Sequence, residues 1–167
     1  MIESLASKVA ISVAVLIIVS SISGFFYVQR ESALDREVGQ TADSLANWID
    51  SFTSLTGETM ANLTVGTGGD YSIPGQIGGM PVHLNISMGI VQIACGARRA
   101  SAGYLTNVHL WLPEKDSYNA TEFQGLDSAH PWTGEMLPGA NVVLERKMVT
   151  VSGTPALMTF AWQMMGA

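Results

Sequence analysis

The chain is short of charge and of cysteine. Only 13% of its 167 residues are charged, with 8 basic against 14 acidic side chains, and Cys95 is the single cysteine. An intrachain disulfide is therefore excluded, and Cys95, which lies in an apolar run, is expected to be buried and unreactive. The few basic residues form no patch that would neutralise a run of phosphates, so no nucleic-acid binding is expected. Since about a quarter of the residues of a soluble protein are usually charged, this composition indicates surface buried against lipid or partner chains.

The sequence also lacks the residue patterns of common active sites. Its three histidines, His83, His109 and His130, are scattered and have no acidic neighbours at metal-ligand spacing. His83 and His109 fall on the polar faces of predicted strands, where solvated side chains are expected, and His130 falls in a predicted loop. Acidic residues between positions 114 and 127 do not follow the order of a calcium-binding loop. No enzymatic activity, metal or cofactor is therefore predicted.

What the sequence does contain is an uncharged apolar stretch near its N-terminus, Val9–Val28. Its 20 residues, as a helix, would span about 30 Å, the thickness of a bilayer hydrocarbon core. The stretch is longer than the apolar region of a usual secretory signal, so a retained membrane span is expected. Lys8 and Arg30 flank its two ends, and charge therefore does not fix its orientation.

Helical patterning continues from Glu31 to Leu55. Apolar or small residues recur there at alternating steps of four and three, which is the spacing of a helix–helix contact seam. The residues of this predicted seam are Leu34, Val38, Thr41, Leu45, Trp48, Phe52 and Leu55. The large aromatic side chains need burial, and packing on the chain's own β-domain and packing on a neighbouring subunit both remain open. Gly57 supplies a stop signal, so residues 1–57 are predicted to form one helical domain.

The rest of the chain, residues 58–167, has the pattern of an all-β domain. The segments predicted to form strands are residues 82–87, 90–95, 104–112, 141–151 and 156–165. Alternation places Val82, Leu84 and Ile86 on the apolar face of the first segment. In the third it places Val108, Leu110 and Leu112 inward, with Asn107, His109 and Trp111 on the alternate face. Residues 96–103 are predicted to be a turn or bulge, and residues 114–139 an irregular surface excursion. The predicted fold class is α+β, a long hydrophobic N-terminal helix followed by a small immunoglobulin-like sandwich of about six to eight strands.

Three of the six asparagines lie in N-glycosylation sequons: Asn62, Asn85 and Asn119. About one in six would be expected from the abundance of serine and threonine alone. All three follow the apolar stretch and belong to the predicted β-domain. They favour a cell-surface location with N-glycans on that domain.

This layout resembles archaeal type IV pilin-like proteins, a group that includes adhesive pilins and archaellins. The stretch IPGQIGGMPVHLNISMGIVQIACGAR, residues 73–98, looks like the first hairpin of their β-domains. In that family a peptidase removes a short basic leader, the helices of the mature subunits form the filament core, and glycosylated β-domains form an outer sheath. No basic leader precedes Val9 in this sequence. Leu5 stands where bacterial type IV pilins carry a glutamate, which argues against the bacterial branch.

The resemblance implies a pilin-like structural subunit of an extracellular filament, with adhesion or surface contact as its role. Its implied partners are copies of itself in a helical filament, the membrane before assembly and the pilus assembly machinery. The residues that would form the polymerisation core are Val9, Ile11, Val13, Val15, Leu16, Ile17, Ile18, Val19, Ile22, Phe25 and Phe26. Two alternatives remain open: a non-polymerising, membrane-anchored surface protein or minor pilin-like subunit, and a subunit of the archaellum.

Overall fold

A computed structural model describes residues 2–129 and 136–164, with side chains described from residue 11 onward. A long apolar N-terminal helix is followed by a sheet-rich domain, so the predicted α+β class is confirmed. The immunoglobulin-like sandwich stays a prediction. The chain divides into two compact units, Met1–Arg36 and Glu37–Ala167. The predicted domain boundary at residue 57 lies just after the end of the N-terminal helix. The second compact unit begins earlier, at Glu37, and therefore includes the last turns of that helix.

The first helix, α1, extends from Ile2 to Thr53. Proline, which would remove a helical N–H donor, does not occur before Pro74. Hydroxyl groups inside the helix are satisfied by carbonyl oxygens one turn earlier, as where Thr41 Oγ1 donates to Glu37 O at 2.8 Å. The helix ends two residues before Leu55, where the predicted seam ends.

The second unit contains strands and a further helix in the following order. They are β1 (Thr59–Val65), β2 (Tyr71–Ile73), β3 (Gln76–Ile77), β4 (Met80–Ser87), β5 (Ile90–Cys95), β6 (Arg98–Gly103), β7 (Val108–His109), β8 (Ser117–Tyr118), α2 (Ala120–Ala129), β9 (Asn141–Val151) and β10 (Thr154–Met164). The larger sheet has the strand order β2-β1-β9-β10-β7, with β8 also paired to β9. The smaller sheet has the order β3-β4-β5-β6.

The β9–β10 hairpin forms the centre of the larger sheet. The two strands pair in antiparallel register from Asn141 opposite Met164 to Val151 opposite Thr154. The turn between them is Ser152-Gly153, whose φ angles of 51° and 85° suit a two-residue hairpin that follows the twist of the strands. The prediction of two long strands joined at this point is confirmed.

In the smaller sheet, β4 buries every second residue, and the predicted inward positions Val82, Leu84 and Ile86 are confirmed. The prediction of a turn over residues 96–103 is wrong, because Gly96 and the next residue complete the turn by themselves. Cys95 then pairs directly with Arg98, and β6 pairs along the whole length of β5. Small residues dominate β6, so its sequence carries little strand propensity of its own.

α2 packs on one face of the larger sheet, and the end of α1 contacts the opposite face. Phe160 in β10 and Val149 in β9 pack in one cluster with Trp111 and with Phe123 of α2. Side chains of successive residues in a strand point to opposite faces, so Arg146 belongs to the other face. There the Arg146 guanidinium donates to the carbonyl oxygen of Thr53, the last residue of α1. A cation at this position satisfies a terminal carbonyl and interacts favourably with the helix dipole.

Residues 114–139 do not form the irregular excursion expected from their sequence, because they include β8 and α2. The apolar periodicity of α2 is weak, since Phe123 is its one buried residue. The available signal was the capping pattern: Asn119 Oδ1 accepts the backbone N–H of Glu122 at 2.8 Å. His130 and the rest of residues 130–135 lie outside the described part of the chain.

The predicted strand over residues 104–112 is also mostly absent, because only Val108 and His109 pair as β7. Trp111, expected on the polar face, is 5% exposed, and Leu112, expected inward, is 50% exposed. Trp111 points towards α2 because its indole N–H donates to Asp127 of that helix at 2.7 Å. Once the chain leaves the sheet after His109, strand alternation no longer governs these side chains.

The burial of α1 in the second unit leads to a stability prediction. Ile49 is 1% exposed, so Ile49→Ala is expected to lower the free energy of unfolding by about 2–5 kcal/mol. Leu55→Ala removes a side chain that is 49% exposed and is expected to change it by no more than about 0.5 kcal/mol. Urea unfolding of the full chain in detergent, followed by tryptophan fluorescence, measures both. Equal effects of the two substitutions would contradict this account of the helix.

Candidate assembly surface

The main candidate for a functional surface is the apolar part of α1. All residues from 11 to 30 are exposed within the chain. An 18-residue window of this helix has a mean hydropathy of 2.3, with none of it buried. A helix that is apolar on all sides is stable only inside a protein core, a membrane or a bundle of similar helices. Length and composition thus make this helix capable of crossing a membrane.

The predicted polymerisation core falls on this surface. Its described side chains are between 49% and 65% exposed, a range set by Val13 at the lower end and by Leu16 and Phe26 at the upper end. They are Ile11, Val13, Val15, Leu16, Ile17, Ile18, Val19, Ile22, Phe25 and Phe26. Val9 lies in α1, and its side chain is outside the described residues. No described side chain of this set is covered within the chain.

Small and aromatic residues mark the end of the apolar stretch. Ser21 Oγ donates to the Ile17 carbonyl oxygen at 2.8 Å, so this hydroxyl is satisfied without leaving the helix. A Cβ atom added to Gly24 would meet nothing within 4 Å. Phe25 and Phe26 follow, with ring centroids 6.1 Å apart, and Tyr27 is 66% exposed. Aromatic residues at such a position suit the interface between a bilayer and water.

The predicted seam lies mostly on the buried side of α1. Leu34, Val38, Leu45 and Phe52 are between 0% and 9% exposed. The buried stripe also contains Ala42 and Ile49, each one position after a predicted seam residue, Thr41 and Trp48. The buried positions 38, 42, 45, 49 and 52 are also separated by alternating steps of four and three. This spacing alone therefore does not distinguish the observed buried stripe from the predicted seam.

Trp48 lies at the edge of this stripe and is half-buried. Its ring stacks on that of Tyr71 in β2, with centroids 4.6 Å apart and an interplanar angle of 18°. Phe52 is 5% exposed, whereas Leu55 follows the helix and is 49% exposed. The two large aromatic side chains of the seam therefore pack within the second unit.

The three sequons occupy different environments. Asn62 and Asn85 lie inside strands β1 and β4 and are half-buried, and the side-chain oxygen of Asn85 is buried without a hydrogen-bond partner. Asn119 is exposed and lies between β8 and α2. Its side-chain oxygen caps α2, which leaves the amide nitrogen, the atom that would carry a glycan, facing away from that hydrogen bond.

The histidines give no metal site among the residues that the structure describes, where no group of three or more metal-binding side chains occurs. His109 is not solvated as expected, since its side chain is 15% exposed and its Nδ1 atom is 2.9 Å from Asp127 Oδ1. Its ring packs between those of Phe123 and Phe160, with centroids 4.9 and 5.3 Å away. The expectation failed because α2, which covers this histidine, was not predicted.

Another residue that the sequence does not single out is Arg146. It lies in β9 between Glu145 and Lys147, and nothing in this run of charges distinguishes it. Cys95 is buried, as predicted, with its sulfur 3.3 Å from the Ile77 carbonyl oxygen.

No protein-family model, curated protein or solved structure matches this chain. Its function is therefore inferred from its own residues and their geometry. The feature that stands out is an apolar helical surface that the chain itself leaves uncovered.

A charge placed in the middle of this surface tests its capacity to enter a membrane. Ile18→Arg is expected to make membrane insertion less favourable by about 3 kcal/mol, because a charged side chain is poorly tolerated at a bilayer centre. Ser44→Arg adds the same charge at an exposed position of α1 in the second unit and is expected to have no such effect. The measurement is the fraction of full-length chain retained in membranes after alkaline extraction. Equal retention of both variants would contradict the assignment.

Proposed function

We propose that this chain is a structural subunit of an extracellular, type IV pilus-like filament of an archaeon, with adhesion or surface contact as its role. The observation that carries this proposal is the uncovered apolar surface of α1 between residues 11 and 28. A pilin-like arrangement, in which such helices pack together and the β-domains lie outside, accounts for that surface. In this proposal the chain spans the membrane once before assembly.

The magnitude of the uncovered surface supports the proposal. Twelve large apolar or aromatic side chains between Ile11 and Val28 are about half exposed or more. Full burial of one such side chain contributes about 1.5–3 kcal/mol, so together they represent on the order of 20 kcal/mol. That exceeds the whole stability of a typical domain, which is about 5–15 kcal/mol. A subunit in water would have to cover this surface, and copies of the same helix provide a matching apolar surface.

The second half of α1 limits where copies would meet. Its apolar stripe is already buried in the second unit, and its outward residues, such as Glu37, Asp43 and Asn47, are polar. The proposed helix–helix contacts are therefore confined to the apolar part. This division of one helix into a part for assembly and a part for holding the β-domain is what the filament proposal requires.

A substitution at Gly24 tests polymerisation separately from membrane insertion. Gly24→Leu keeps the helix apolar, and the added Cβ meets no atom within 4 Å, but the larger side chain would prevent close approach of a neighbouring helix. We expect it to reduce the yield of surface filaments strongly while leaving the chain in the membrane fraction. Gly39→Leu, also free of contacts within 4 Å, is the matched control and should leave the filament yield unchanged.

Purification of surface filaments distinguishes the proposed subunit from a membrane-anchored, non-polymerising protein. Filaments sheared from cells are purified and their components sequenced, and the wild-type chain is expected in a high-mass assembly that resists detergent. Extraction of the wild-type chain only as a small detergent-soluble species, with no copy in any filament, would refute polymerisation. Rotation of the filaments would identify an archaellum.

We also propose that N-glycans are attached selectively to Asn119. This asparagine is exposed at the start of α2, whereas Asn62 and Asn85 are half-buried in strands. Mass spectrometry of glycopeptides from the native protein is expected to show higher occupancy at Asn119 than at the other two. Thr121→Ala should abolish the glycan at Asn119 without removing the cap on α2, because the asparagine side chain stays in place. Higher occupancy at Asn85 would contradict the expectation.

A further inference from the structure

A cavity of about 520 Å³ lies beside β10 in the second unit. One wall is the loop at residues 105–107, and the other is the stretch of β10 from Ala156 to Thr159. β7 pairs with β10 only at Thr159 and Phe160. Residues 156–158 of the wall therefore have no partner in β7. Its volume is in the range of sites that bind small molecules.

The loop wall of this cavity is held firmly in place. The Tyr104 hydroxyl donates to the Ser87 carbonyl oxygen at 2.6 Å, and burial raises the pKa of Tyr104, so the donor stays protonated. The backbone N–H of Leu105 donates to Asp50 Oδ1 at 2.9 Å, and the Thr106 and Thr53 hydroxyls are hydrogen-bonded at 2.9 Å. Leu105 itself is 96% exposed. These hydrogen bonds thus hold Leu105 in an exposed position.

Two polar groups of the cavity wall lack hydrogen-bond partners among the described residues. They are Arg146 Nε and Thr159 Oγ1, both buried atoms of neighbouring strands. Thr159 is 1% exposed, and it pairs directly with Arg146 across the β9–β10 ladder. Buried polar atoms are almost always satisfied in native proteins, so an unsatisfied pair at a cavity indicates a missing polar partner.

The positive charge of Arg146 is also not neutralised by a carboxylate. Its guanidinium donates to the Thr53 carbonyl oxygen, and no carboxylate of the described residues forms an ion pair with it. By contrast, Lys115 and Lys147 each have a carboxylate oxygen at 2.6 Å, from Glu122 and Asp116. An unpaired, half-buried guanidinium is unexpected in a chain whose net charge is −6.

We propose that this cavity is a binding site for a carboxylate that carries a short apolar group. A single guanidinium matches the charge and planar shape of one carboxylate, and the Thr159 hydroxyl and Asn107 supply further hydrogen-bonding groups. Leu105 and Leu157 give the site apolar walls for the rest of the ligand. A glutamate or aspartate side chain of a second copy and a free small carboxylate have this same chemistry.

The test uses the full chain dispersed in detergent, with isovalerate as the probe and its neutral amide, isovaleramide, as the matched control. Calorimetry is expected to show saturable binding of isovalerate and binding of the amide that is weaker by about tenfold or more, because a charge-assisted hydrogen bond is lost. No saturable binding of isovalerate, or equal binding of acid and amide, would overturn the proposal.

Three substitutions separate binding from folding. Asn107→Asp, at an exposed position, adds a negative charge to the cavity and is expected to weaken isovalerate binding by about tenfold, while Asn107→Ser retains it. Thr159→Val removes the unsatisfied hydroxyl and is expected to weaken binding while the thermal midpoint stays the same or rises. Unchanged affinity in both Asn107→Asp and Thr159→Val would refute the site.

The source of the carboxylate is decided by repeating the titration on the assembled protein. If a side chain of a second copy occupies the cavity, isovalerate binding is lost on assembly and returns on dispersal. If the ligand is a free molecule, binding persists in the assembly. The measurement on dispersed chain does not depend on filament formation, so failure of the filament proposal and failure of this one are distinguishable.

Discussion

The structure depends on one constraint: a single long helix must bury two different apolar surfaces in two different ways. In the second unit the apolar stripe around Leu45 and Ile49 is buried by the chain's own strands. From residue 11 to residue 28 apolar side chains point in every direction, and none of them is covered by another described part of the chain. Because water penalises that exposure, the surface requires either lipid or other copies of the helix. A membrane-spanning state and the proposed filament would each meet this requirement.

The β9–β10 hairpin organises the second unit around that helix. One of its faces packs with α2 and the Trp111 cluster, and the other provides Arg146, which bonds to the last carbonyl of α1. α1 has no basic residue in its last turn, so the compensating cation is supplied by a distant strand. The same arginine also lies at the wall of a cavity, so one side chain has both a structural role and a proposed binding role.

The sequence predicts the features that depend on local pattern. Uniform hydrophobicity identifies Val9–Val28, strict alternation identifies β4, and a Ser-Gly turn between two apolar-rich runs identifies β9 and β10. It fails where a contact distant in sequence decides the outcome. α2 has one buried residue and is held through Asp127. Its contacts through Asp127 explain why the side chains of His109 and Trp111 are covered. The candidate assembly surface could therefore be predicted from the sequence. The Arg146 cavity could not, because its parts come from residues about 40 positions apart.

The position of the central hairpin in the chain has a consequence for biosynthesis. β1 pairs with β9 across about 80 intervening residues, and β10 is the last strand described. Closing so long a loop costs entropy that is regained only when both partners are present, so the larger sheet forms late. The apolar stretch of α1, in contrast, leaves the ribosome long before β9 exists. The helix that is capable of crossing a membrane is thus synthesised first, and the larger sheet completes folding on a chain whose apolar surface has already emerged.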